Sequence, residues 1–106
     1  MVDIAQINAD RLADELAGGA RLIDVREPDE YAQAHIPGAV LIPLATVPDH
    51  IDEFRGDGPT YVVCRSGARS QRACEFVAAH GADVVNAAGG MLAWIEGGHA
   101  VDQGAA

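Results

Sequence analysis

Apolar residues in this chain come in two rhythms. Short unbroken runs at 20–25 (ARLIDV), 40–44 (VLIPL), 60–64 (TYVVC) and 83–87 (DVVNA) are rich in β-formers and predict strands, and residues 3–7 predict another short one. Between the runs the spacing lengthens to that of a helix. Asn8 is placed to cap a helix whose Leu12 and Leu16 stand four apart and which Gly18 and Gly19 end. Residues 27–35 predict a short helix, with Pro28 in its first turn and acids where the dipole favours them. Residues 36–39 (IPGA) read as a turn, and 44–58 as helical in part, broken by Pro48 and closed by Gly56. At 68–81, Ala73, Phe76, Val77 and His80 fall at i, i+3, i+4 and i+7, which predicts a helix packed on that face, with Gly81 just past its end. Residues 89–98 predict a last short helix between glycine pairs, and residues 102–106 a frayed tail.

Strands that are apolar throughout belong to a sheet covered on both faces. Their alternation with helices makes that sheet parallel, so the pattern predicts an α/β fold. The 106 residues amount to one domain, 1–106, able to bury roughly two-thirds of its unfolded surface. There is no internal repeat, low-complexity tract or linker. Composition, 49% hydrophobic and 22% charged, is that of a soluble globular protein. The formal net charge of −9 opposes binding to phosphate backbones and anionic lipid, so no nucleic-acid or membrane partner is expected. No apolar run is long enough to span a bilayer, and MVDIAQINAD lacks the basic and apolar regions of a secretory signal. The expected location is cytoplasmic. Cys64 and Cys74 are accordingly expected as free thiols. Neither C-x-x-C nor H-x-x-x-H occurs and the histidines are scattered, so no metal site is expected.

One stretch departs from the acidic background. The chain has seven cationic side chains, all arginine, and three of them (Arg65, Arg69, Arg72) follow within eight residues of Cys64 in YVVCRSGARSQR. Cys64 ends a strand, which is where ligands of open α/β sheets bind. Gly67 permits a turn with positive φ, and Ser66 and Ala68 are small enough to leave the loop open. Successive amides in such a loop form an anion nest, and the following helix points its positive end at the same place. With Arg65 and Arg69 added, these surroundings favour a thiolate over a thiol. A cysteine ending an apolar strand also suits a small buried hydrophobe. Both readings stand on the residues alone, and the flanking arginines are what supports a nucleophile.

Three segments in order resemble the rhodanese family and cover the chain from Leu22 to about Val101. LIDVREPDEYAQAHIPGAVLIPL resembles its first signature through Asp24, Arg26, Glu30, Tyr31 and the 35–39 turn. YVVCRSGARS resembles its active-site loop, and GGMLAWIEGG its final helix. The resemblance implies a three-layer fold with a five-stranded, mostly parallel sheet flanked by helices on both faces. It implies a thiosulfate sulfurtransferase that carries sulfane sulfur as a Cys64 persulfide. Arg65, Ser66, Gly67, Ala68 and Arg69 would form the substrate cradle, the arginines binding an anionic donor such as thiosulfate. Cyanide, a thiol or a carrier protein would accept the sulfur, and a donor or acceptor protein is an expected partner. No cofactor is implied beyond the transient persulfide. Spacing C-x4-R separates this loop from the C-x5-R loop of related phosphatases and arsenate reductases, and Ser70 stands where that arginine would be. A non-enzymatic binding or redox-sensing module is the alternative reading, and a phosphatase or arsenate reductase the third.

Asp24 and Arg26 are expected to pair and support the active loop. His35 is expected to be structural, Trp94 to pack between the last helix and the sheet, and Cys74 to be buried. The run Gly97-Gly98-His99-Ala100-Val101 lacks the proline that often follows the family's last helix.

Overall fold

The computed structural model describes residues 3–106; Met1 and Val2, part of the domain expected over 1–106, lie outside them. Five strands form one sheet: β1 (Ala5–Ile7), β2 (Arg21–Asp24), β3 (Val40–Leu41), β4 (Thr60–Val63) and β5 (Val84–Ala87), in the order β1-β5-β4-β2-β3. All four pairings are parallel, with β4 at the centre. The helices are α1 (Ala9–Ala17), α2 (Pro28–Gln33), α3 (Ala68–Ala78) and α4 (Gly90–Glu96). The span after β3 forms two 3-10 helices, Leu44–Asp49 and Ile51–Phe54. Pro48 lies inside the first rather than breaking it, and the interruption falls at His50. A 3-10 helix this short loses only one bond to the missing proline amide.

Side chains alternate across the strands and divide the core in two. On one face Ile23, Val62 and Cys64 pack with Val47 and Phe54 of the 3-10 helices and with Ala73, Cys74 and Val77 of α3. On the other, Leu22, Tyr61 and Val63 meet Leu12 of α1, Tyr31 of α2, and Met91 and Trp94 of α4. Period-two alternation is the reason neighbouring strand residues serve opposite layers.

The expected face of α3 is turned by about one residue. The buried set is Ser70, Ala73, Cys74 and Val77, while Phe76 is 38% exposed and His80 lies outside the core. The tail also differs from expectation over 102–104. His35 and Asp102 exchange backbone hydrogen bonds (2.9 and 2.8 Å), and the Gly104 amide donates to Ala32 O at 2.9 Å. Paired backbone holds these exposed residues in place of side-chain burial.

Candidate active site

Cys64 is the first residue past β4, at the carboxyl edge of the sheet, and is only 1% exposed. The loop 65–67 folds back over it before α3 begins. Gly67, at φ 106°, makes that reversal and turns its amide onto Cys64 Sγ at 3.1 Å. A side chain there would be strained by that backbone conformation. One helical turn on, the Ser70 hydroxyl lies 3.2 Å from the same sulfur. It also lies 3.2 Å from Gly67 O, so its single proton is available to a thiolate when one forms.

Burial pushes the Cys64 thiol up, but the Ser70 hydroxyl and the amides of Ser70, Gly67 and Ser66 outweigh it, and the net shift is downward. The loop amides expected from the sequence favour the thiolate here, joined by the Ser70 hydroxyl where the arginines were expected to add to them. Cys74 shows the contrast. It is buried on α3 without such donors, and burial, then the Cys64 charge, then Glu75 push its thiol up to about 12.

The arginines have separate fates. Arg69 makes a bidentate pair with Glu30 of α2, at 2.7 and 2.8 Å. That contact is the main cause of a Glu30 carboxyl held down at about 2; burial opposes it. Arg65 is exposed and forms no ion pair among the described residues. Ser66 and Ala68 are exposed on the loop beside it.

Asp24 and Arg26 pair as expected, buried and bidentate, with Nη2 to Oδ2 at 2.8 Å. Their link to the active loop is indirect. Arg26 donates to Ala34 O (2.8 Å) and Glu30 O (3.3 Å), so the pair secures α2, and α2 reaches the loop through Glu30. His35 stacks on Tyr31 with ring centroids 3.8 Å apart and bonds its carbonyl. Trp94 is buried and donates to Ala100 O at 2.9 Å, while His99 tilts against its ring and meets Asp10 where the proline is absent.

Three contributors escaped sequence reasoning. Ser70 was weighed only as a missing arginine; its place one helical turn past Gly67 was the available signal. Asn86 of β5 donates Nδ2 to Gly67 O at 3.2 Å and holds the peptide that follows the one serving the sulfur. Gly90 lets α4 approach the loop closely, so that Met91 N donates to Cys64 O (2.8 Å) and Leu92 N to Arg65 O (3.1 Å).

A thiol with its pKa lowered at the floor of an amide cradle fits a class of nucleophilic cysteine sites at the carboxyl edge of a parallel sheet. Residues 8–97 match the model of the rhodanese-like domain, and the chain belongs to that family. It is 36% identical over 98 residues to a sulfurtransferase of Allochromatium vinosum, a match spanning 90% of this chain and 92% of the relative. It is 34% identical to the thiosulfate sulfurtransferase GlpE of Pseudomonas entomophila, covering 89% and 87% of the two chains. The crystal structure of a rhodanese-like domain protein from Staphylococcus aureus superposes with a TM-score of 0.80 at 39% identity, covering 86% of this chain and 91% of the other.

Proposed function

We propose that this protein, acting as a single domain, moves sulfane sulfur through a persulfide on Cys64. The carrying observation is the Cys64 sulfur receiving the Gly67 amide and the Ser70 hydroxyl at 3.1 and 3.2 Å inside a C-x4-R loop. The thiolate attacks the outer sulfur of thiosulfate or of a protein persulfide; sulfite or a thiolate leaves with the bonding pair. Arg65 is the cation free to meet the donor, while Arg69, tied to Glu30, contributes its field from a fixed position. The relative named for thiosulfate supports that donor, and the sulfur itself is the only group carried. A tight loop of four intervening residues suits one sulfur atom better than a tetrahedral phosphoryl group, which sets this reading above a phosphatase.

The test is intact-protein mass after thiosulfate treatment. The expected result is a gain of one sulfur atom that a reducing dithiol removes. Cys64→Ser should abolish it and Cys74→Ser should keep it. A gain that survives in Cys64→Ser and disappears in Cys74→Ser would refute the assignment.

A further inference from the structure

A cleft of about 590 Å³ opens at the amino edge of the sheet, where β2 and β4 begin and α1 ends. It is set apart from the sulfur chemistry: Tyr61, which lines it, comes three residues before Cys64, roughly 10 Å back along the strand. Tyr61 is only 7% exposed, and its hydroxyl, open on the cleft, bonds to no described residue. A phenol covered so deeply ordinarily has a partner. Burial, then Glu15, push its pKa up; Arg11 opposes and Asp83 adds to the rise. The hydroxyl therefore stays protonated at neutral pH, able both to accept and to donate.

Acceptors dominate the walls. Glu15 and Asp57 are exposed and form no ion pair with any described residue. The end of α1, closed by Gly18 and without a basic residue in its last turn, adds the negative end of the helix dipole. Arg21 is the only cation among the described residues that line the cleft. Its donors are already given to the Glu53 and Arg55 carbonyls and the Thr60 hydroxyl. An anionic ligand would thus meet two carboxylates and a guanidinium already bonded. No three metal-ligating side chains converge here among the described residues. Gly19 and Gly58 keep the rim clear, since a Cβ on either would meet no atom within 4 Å. We propose that this cleft binds a small organic cation, a primary ammonium or guanidinium on a short apolar stem. Such a group carries donors and no acceptor, the complement of these walls, and the volume suits a small molecule. Its N–H groups donate to the Glu15 carboxylate and the Tyr61 oxygen, Asp57 adds its field, and the stem lies along Pro59.

The experiment titrates agmatine, and separately butylamine, into isotope-labelled full-length protein at low ionic strength and follows the backbone amide resonances. The Gly19, Gly58 and Tyr61 amides should shift and saturate with both cations, and sodium chloride at matched ionic strength should give no saturating shift. Tyr61→Phe keeps the ring and removes only the hydroxyl; it should weaken agmatine binding about fivefold, and Glu15→Gln about tenfold. Glu96→Gln removes the same charge from α4 and should change binding by less than about twofold. The same spectra report whether each variant is folded. Equal weakening in all three variants overturns the proposal, because the cation would then follow only the net charge of the chain. Unchanged binding in either Tyr61→Phe or Glu15→Gln overturns it as well. So does the absence of saturating shifts with the two small cations, including where an arginine-rich peptide produces them. No outcome involves Cys64, so the sulfur-transfer reading stands or falls separately.

Discussion

The lowered pKa of Cys64 rests on the direction of a few bonds. The Gly67 amide points at the sulfur, and Asn86 Nδ2 grips the carbonyl of the next peptide along, Gly67 O, on the far side of the same glycine. Asn86 Oδ1 is meanwhile left buried and unpaired, at a typical cost of about 1–3 kcal/mol, so holding that peptide outweighs satisfying the side chain. Ser70→Ala removes a direct donor to the thiolate. It should slow sulfur uptake about tenfold and move the pH midpoint of Cys64 alkylation upward. Asn86→Ala should move that midpoint in the same direction without touching the sulfur. The sign follows from the shift: donors hold the Cys64 pKa down, so losing one raises it. Rates of iodoacetamide reaction across pH read both effects, and a midpoint unmoved in both variants would place the stabilisation elsewhere. Cys74, held up at about 12, should stay silent at neutral pH.

Between elements, a relay of charged pairs ties the end of β2 to the start of α3. The buried Asp24–Arg26 pair anchors the last carbonyls of α2, and Glu30 on that helix grips Arg69. A carboxyl held below its unfolded value contributes stability that is complete above the unfolded value and lost as pH falls through the folded one. For Glu30 that window runs from 4.5 down to about 2. Wild type should therefore lose stability more steeply than Glu30→Gln across it, as urea midpoints at successive pH values would show. At neutral pH the difference should be no more than about 1 kcal/mol, because the pair is partly open to solvent. Parallel curves for the two proteins would mean that the pair adds nothing to folding.

Across the whole molecule, the cradle is closed from the far end of the chain. The amides of Met91 and Leu92 bond the carbonyls of Cys64 and Arg65, which requires the backbone of α4 to approach without a side chain. A Cβ on Gly90 would stand 2.6 Å from Arg65 O and closer still to Cys64 O, both rigid backbone atoms. Gly90→Ala should push the loop out of place. We expect a loss of about 1–3 kcal/mol in urea unfolding and sulfur loading reduced roughly tenfold to a hundredfold. Normal loading in a folded Gly90→Ala protein would show that α4 does not set the cradle.

What the sequence determined by itself is local. Unbroken β-forming runs mark four of the five strands, small and cationic residues single out the loop after β4, and a cysteine there is placed for ligand chemistry by the parallel topology alone. Gly67 was legible because only a residue without Cβ turns there at φ 106°. Partner choice was not legible. Whether Arg69 faces a substrate or Glu30, thirty-nine residues earlier, depends on how α2 docks beside α3. Asn86 and Gly90 reach the loop only because β5 lies next to β4 in the sheet and α4 follows β5. The face of α3 was missed for a related reason. Successive residues on a helix of 3.6-residue period lie about 100° apart, and Phe76 and His80 read as part of the packed face where Ser70 does not. Tertiary packing decided for the smaller residues, because α3 must lie close to the sheet for Ser70 to reach the sulfur, and that closeness leaves Phe76 exposed.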